Sequence, residues 1–309
     1  FSLDDEQGPK ASWARYIFGV CREMMALGVP VEGFNTAFAG DVPLGAGMSS
    51  SAALESTFAF GLNDLWGENK IDRMELARVG QRTEHKYIGV MCGIMDQAIS
   101  CLGRKGSLLR LDCRSGEYEY FPWNPKGYQL VLVNSCVKHT LAGSPYNERR
   151  LQCEHVAEII GQKHPEVKSL RDASIEMLEE VKGEITGDEY KRARYVIGEV
   201  ERVLAVCDAL KNDDYEMVGK MMYETHYGLS KEYEVSCEEL DFLNDVAKEA
   251  GVTGSRIMGG GFGGCTINLV AEELVDNFKK LAKEKFAEKY GKEPIIIDVV
   301  IGDGARKLC

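Results

Sequence analysis

The chain has 309 residues, 44% of them hydrophobic, which is enough for two ordinary domains and too apolar for a disordered chain. Its 37 basic and 49 acidic side chains leave a net charge of −12. That balance argues against nucleic acid and anionic membranes as partners, but not against a small anion held by a local field. No apolar run approaches a membrane span, no signal peptide is visible, and ten scattered cysteines with no CxxC pair predict reduced thiols in the cytoplasm rather than a disulfide framework or a zinc site.

Residues 11–27 predict a helix with Trp13, Ile17, Val20 and Met24 on one face. Residues 34–42 read as a strand, and Pro43-Leu-Gly-Ala-Gly-Met-Ser-Ser-Ser-Ala-Ala53 follows it. Leu54, Phe58, Leu62 and Leu65 then recur at helical steps until Gly67 stops the run. A Gly/Ser turn between strand and helix aims backbone N–H groups at one point, beside the positive end of the helix dipole. In physical terms that is a phosphate site. The serine hydroxyls add oxygen ligands for a phosphate or for its magnesium ion. The same string also suits a flexible turn ending in an N-capping serine. It is neither a Walker loop nor a nucleophile elbow, because no Gly-Lys-Ser/Thr and no Gly-x-Ser-x-Gly is present.

A second helix is predicted over 72–89, opened by the box-like Asp72-x-x-Glu75. Strands are predicted over 107–112 and 129–133, the latter a continuous apolar run typical of a covered sheet. Phe121-Pro-Trp-Asn-Pro125 marks a domain boundary, giving domains 1–122 and 123–309. Helices follow over 146–161, 188–210, 217–234 and 239–250, with strands over 265–270 and 295–301. Runs of helix followed by isolated strands favour α+β over a doubly wound sheet.

Three further constellations carry chemistry. Glu84 and Asp96, the latter in Gly93-Ile-Met-Asp-Gln97, are acids in mostly apolar surroundings. Each alone reads as a solvated helix face or a cap, yet an acid in an apolar pocket suits base or magnesium chemistry. Gly259-Gly-Gly-Phe-Gly-Gly264 formally contains GxGxxG, but a strand rather than a helix follows, so the match to a dinucleotide fingerprint is weak. Five glycines in six residues exceed what a hairpin needs and predict close backbone approach to a ligand or to the other glycine loop. Lys138, His139 and Tyr146 follow the 129–133 strand and suit a sugar or phosphate, although Tyr146 equally opens a helix.

Taken in order and spacing, the 43–53 string, Gly93-Ile-Met-Asp-Gln97, Gly106 to Arg114 with its Leu-Asp-Cys-Arg, Glu232-Tyr-Glu-Val-Ser236 and the 259–264 glycines resemble the galactokinases of the GHMP small-molecule kinase superfamily along nearly the whole chain. The resemblance implies an α+β, two-domain GHMP kinase fold: an N-terminal α/β domain, truncated at its start, a ferredoxin-like C-terminal domain, and an active site between them. It implies transfer of the ATP γ-phosphoryl group to the anomeric hydroxyl of α-D-galactose, with magnesium as cofactor and a monomeric, cytoplasmic enzyme. By the same resemblance Gly45, Gly47, Ser49, Ser50 and Ser51 cradle the nucleotide phosphates and Trp13 lies near the adenine. Ser51 joins Glu84 on magnesium, and Asp96 faces the anomeric hydroxyl. Gly93 and Tyr146 help hold the sugar, while Gly259, Gly260, Gly261, Gly263 and Gly264 brace the phosphate loop. Aspartate is a feeble base in water, so Asp96 acts either as a base tuned by burial or through orientation and charge.

The family's Arg-Val-Asn-Leu-Ile-Gly-Glu-His-like first motif, with its arginine and sugar contacts, is not among these residues, which start at Phe1. The resemblance therefore implies that the 309 residues alone are inactive. Ile257-Met258 replaces the usual Met-Thr, and Lys138 stands where an arginine is common. The scaffold also admits an N-acetylgalactosamine kinase or a sensor that binds galactose and ATP without turnover. The intact Ser49-Ser-Ser-Ala-Ala53 argues against the sensor.

Overall fold

The computed structural model describes residues 1–5, 7–138 and 145–308. The chain forms two compact units. The first comprises Phe1–Leu44, Ser49–Trp123 and the chain end from Ile301; the second comprises Gly45–Met48 and Asn124–Val300.

The first unit contains α1 (Ser12–Ala26), α2 (Ser50–Leu65), α3 (Arg73–Thr83), α4 (Met95–Leu102) and an antiparallel pair, β1 (Ser107–Leu111) with β2 (Tyr118–Pro122). Its core is a helix-on-helix cluster that includes Ile17, Val20, Met24, Leu62 and Leu76. The expected face of α1 holds except at its first member: Trp13 is 56% exposed. On α2 the expected Phe58 and Leu62 are buried and Leu54 packs against the core, but the buried face also takes Ala52, Glu55, Ser56, Ala59 and Asn63, while Leu65 is exposed. Asp72 caps α3 by accepting from the Glu75 N–H at 3.0 Å. Glu75 does not return the bond to complete a box; its carboxylate pairs with Arg78 and Arg82 instead.

The predicted 72–89 helix changes pitch at its end. After Thr83 a π turn spans Glu84–Ile88 and closes on the left-handed Gly89, whose N–H, with that of Val90, bonds the Glu84 carbonyl. The predicted strand over 34–42 does not form. Among the described residues no strand lies beside it, and an extended segment without a ladder partner leaves its N–H and C=O groups to solvent. The chain end ties to α4 through the Gly304 N–H on the Gly103 carbonyl and the Ala305 N–H on the Ser100 carbonyl.

The second unit contains β3 (Tyr128–Asn134), α5 (Tyr146–Lys163), α6 (Ile175–Glu180), α7 (Gly187–Lys211), α8 (Tyr215–Lys231), α9 (Glu238–Glu249), β4 (Gly254–Ile257), β5 (Cys265–Ala271), α10 (Val275–Tyr290) and β6 (Ile295–Asp298). The sheet order is β4-β5-β3-β6, antiparallel throughout. That order, with helices between β3 and β4 and between β5 and β6, is the ferredoxin-like split β-α-β arrangement. One core joins Val131, Val133 and Val270 of the sheet to Leu243 and Val246 of α9 and Phe278 and Phe286 of α10. A second lies among Val156, Ile160, Leu178, Ala193 and Ile197. The α+β class is thus the observed one. Among the described residues no helix is long and apolar enough to cross a membrane, and no disulfide joins the nine described cysteines.

Candidate active site

The segment 45–49 alternates through left-handed backbone conformations before α2 begins. Gly45 and Gly47 both lie at φ 69°, and Ser49, the residue before α2, lies at φ 59°. In the second unit Gly47 packs against the hairpin between β4 and β5. A Cβ on Gly264 would fall 2.8 Å from the Ala46 carbonyl oxygen and 3.2 Å from the Gly47 Cα. The Cys265 thiol donates to the same Ala46 carbonyl at 3.2 Å. The hairpin is itself pinned. The Phe262 N–H bonds the Val235 carbonyl, and the Gly264 carbonyl accepts from the Ser135 N–H and hydroxyl. Gly261 leaves no room for a side chain, since its Cβ would meet the Val235 carbonyl oxygen at 2.1 Å. The two glycine loops are therefore in backbone contact.

In the first unit, Ser50 and Ser51 open α2 with its first N–H groups directed along the helix start. The Ser51 hydroxyl stands close enough to the Glu84 carboxylate to favour its ionised form. Glu84 is only 6% exposed, against the ordinary expectation of a solvated helix face. Burial pushes its pKa up, the Ser51 hydroxyl opposes this, and the charge of nearby Asp96 adds to the rise. Asp96 sits half-buried in the first turn of α4. Ahead of it, the Cys92 carbonyl is held by His85 Nε2 at 2.9 Å and Gln81 Nε2 at 3.3 Å, which fixes the approach to the exposed Gly93.

Glu55, Tyr16 and Cys92 complete this acidic region. Burial, with Glu84 and Glu55 adding, lifts the Tyr16 hydroxyl to about 12, and burial with Glu84 lifts the Cys92 thiol to about 12. None of Glu55, Glu84 and Asp96 has a Lys or Arg within ion-pair distance among the described residues, so their negative charge is not neutralised by this unit. Among the described residues no cluster of three or more ligating His, Cys, Asp or Glu side chains forms. The Ser51 hydroxyl and Glu84 carboxylate are instead a sparse, oxygen-only pair. That fits magnesium, which binds through one or two protein groups and fills its octahedron with water and phosphate oxygens.

Trp13 and Phe38 form an exposed aromatic pair, ring centres 5.8 Å apart, with Phe38 edge-on to Phe58 at 5.5 Å. Tyr146 begins α5 in the second unit and edges a cavity of about 360 Å³ that also touches Tyr195, Tyr233 and Gly259–Gly260. Lys138 is exposed, and His139 lies outside the described residues. Sequence reasoning missed Glu55 and Gln97. The signal for Glu55 was present, because its spacing from Ala52, Ala59 and Leu62 puts a carboxylate in the stripe that α2 buries.

Two family models match the chain: the GHMP kinases N terminal domain over residues 15–104 and the GHMP kinases C terminal domain over 207–288. A galactokinase of Clostridium acetobutylicum is 42% identical over 313 residues, covering 100% of this chain and 80% of that protein. One of Thermotoga maritima is 38% identical, covering 96% and 82%. The crystal structure of Lactococcus lactis galactokinase complexed with galactose superposes with a TM-score of 0.91 at 32% identity, covering 100% of this chain and 80% of that one.

Proposed function

The chain belongs to the galactokinases of the GHMP kinase family, and from that premise we propose that it transfers the γ-phosphoryl group of ATP to the anomeric hydroxyl of α-D-galactose, giving galactose 1-phosphate and ADP. The observation that carries this reading is the buried Glu84 carboxylate, which interacts with both the Ser51 hydroxyl and Asp96; this sets a metal-binding pair next to a carboxylate that can serve the acceptor hydroxyl.

Phosphoryl transfer needs little covalent help; positioning and charge neutralisation do most of the work. The Gly45, Gly47, Ser49, Ser50 and Ser51 segment cradles the triphosphate with backbone N–H groups and hydroxyls. Ala46 and Gly47 of that segment pack against Gly259 and Gly264 of the hairpin, and we assign Gly260, Gly261 and Gly263 to the same bracing loop. Magnesium, when bound by Ser51 and Glu84, supplies neutralising charge to the phosphate oxygens. Asp96 orients the anomeric hydroxyl and takes its proton as the oxygen–phosphorus bond forms and the bond to ADP breaks. Gly93 and Tyr146 hold the sugar, and the exposed Trp13 face stacks on the adenine. The reading extends to a monomer working in the cytoplasm.

The test is product identity. The full-length gene product, including any residues it encodes beyond these 309, is incubated with magnesium-ATP and separately with galactose, glucose and N-acetylgalactosamine, and the phosphate is located by phosphorus NMR. Galactose phosphorylated at C1 supports the reading. Phosphorylation of N-acetylgalactosamine in preference to galactose reassigns the acceptor, and no phosphorylated sugar sinks it.

A further inference from the structure

Glu55 is fully buried and Gln97 is 2% exposed, yet both are polar. The Gln97 amide donates to Glu55 Oε2 at 3.1 Å and lies 4.0 Å from the Cys92 sulfur. Glu55 stands one turn beyond Ser51 on α2, and Gln97 directly follows Asp96 on α4. The bond therefore ties the helix that presents Ser51 to the helix turn that presents Asp96. Gly80 of α3 makes room for it. A Cβ there would fall 2.8 Å from Gln97 Cγ and 2.9 Å from Glu55 Oε2.

Packing alone gives no reason for this pair. Leucine at position 55 would fill a core site without the desolvation cost of a carboxyl group. Two oxygens, Glu55 Oε1 and Gln97 Oε1, have no hydrogen-bond partner among the described residues, and each such group costs stability when buried. Unlike buried Glu23, which is paired with Arg82 and Lys86, this pair leaves two oxygens unmatched, and a side-chain pair that costs stability points to function.

We propose that Glu55 and Gln97 are a positioning pair, whose buried hydrogen bond locks the first turn of α4 onto α2 and so fixes the aim of the Asp96 carboxylate. This rests on the reading of Asp96 as the group that serves the acceptor hydroxyl. Burial, reinforced by the neighbouring Glu84, pushes the Glu55 pKa well above the usual glutamate range. Gln97 continues from the turn that carries Asp96, so loss of the bond frees Asp96 by a fraction of an ångström. Misplacements of this order cost up to about a hundredfold in rate.

The test compares Glu55→Leu, Gln97→Leu and Glu55→Gln with the wild-type full-length protein, reading kcat, KM for ATP and for galactose, and Tm. Both leucine variants are expected to lose about tenfold to a hundredfold in kcat. Their KM for ATP should stay within about threefold of wild type, with Tm unchanged or raised. Glu55→Gln keeps an acceptor for the Gln97 amide and should retain kcat within about threefold. The double leucine variant should be no slower than the worse single, because both remove one bond. Leucine variants that fold and turn over like wild type overturn the proposal, as does a kcat loss of equal size in Glu55→Gln. If Glu55→Leu fails to fold, Gln97→Leu and Glu55→Gln decide it alone. A wild-type protein that makes no sugar phosphate overturns the functional reading itself, and that appears in the wild-type arm before any variant is compared.

Discussion

Gly264→Ala tests the contact between the two glycine loops. Gly264 lies at φ +81°, where alanine costs about 1–2 kcal/mol from the left-handed backbone alone. Its Cβ would sit 2.8 Å from the Ala46 carbonyl oxygen, where ordinary contact begins at 3.4 Å, so residues 46–47 must retreat by 3.4 − 2.8 = 0.6 Å. The obstructing atoms are all backbone, so no rotamer change relieves the clash. Overpacking of that kind adds about 1–3 kcal/mol, for a total of about 2–5 kcal/mol. Gly291 supplies the control: it lies at φ +68° with nothing within 4 Å of its Cβ, so alanine there meets only the backbone cost. At about 3 °C per kcal/mol, Gly291→Ala should lower Tm by about 3–6 °C and Gly264→Ala by about 6–15 °C. Only Gly264→Ala should also raise KM for ATP, by about tenfold, because only it displaces residues 46–47. Scanning calorimetry without ligand and an ADP-release assay read the two effects. Equal melting of the two variants with unchanged KM would refute the idea that the hairpin braces the phosphate segment.

Other perturbations address separate parts of the account. Glu84→Gln should weaken magnesium-ATP binding by about tenfold or more in calorimetry, since one of two protein ligands loses its charge. Because burial and then Asp96 raise the Glu84 pKa, its ionised, metal-binding form is lost above the usual glutamate range as pH falls. Wild-type ADP release should therefore decline on that acid limb, with the decline partly reversed by excess magnesium. Asp241 behaves oppositely. Burial raises its pKa, but hydrogen bonds from His226, Ser236 and Ser230 outweigh this and hold it far below the ordinary 3.8. Its stabilisation is thus full above that unfolded value and lost as pH falls through the folded one. Asp241→Asn should cost about 2 kcal/mol near pH 7 in thermal unfolding, and less below pH 4. Trp13→Ala should raise KM for ATP with kcat and Tm nearly unchanged, because the ring is 56% exposed and contributes little to the core.

Where the sequence was legible, a strong local signal agreed with the tertiary environment. The long helices α7 and α8 and the covered strand β3 carry enough periodicity or apolar length to be read directly. Val275, Phe278, Ala282 and Phe286 keep helical spacing too, but α10 went unread because its mean apolar content is low and lysines and glutamates fill the rest. The eight-residue α4 was hidden because Gly93 suggested a turn around Asp96, and its buried face includes the polar Gln97. The 34–42 stretch has the composition of a strand, but pairing is a property of neighbours, and the sequence of one segment does not contain its partner. Within the candidate site, Ser51, Glu84 and Asp96 could be picked out individually. Their convergence depends on the π turn at Glu84 and on the packing of α2 against α3 and α4, and neither follows from spacing along the chain.

The central claim is that Asp96 serves the sugar hydroxyl beside the Ser51–Glu84 pair. The measurement that tests it most directly is galactose-dependent ADP release by the full-length wild-type protein and by Asp96→Asn, with galactose and magnesium-ATP affinities measured in parallel. The account predicts galactose-dependent turnover in wild type and a fall in kcat of about 10²–10⁴-fold in Asp96→Asn with both ligands still bound. Turnover preserved in Asp96→Asn, or a wild type that binds both ligands and releases no ADP, would contradict it.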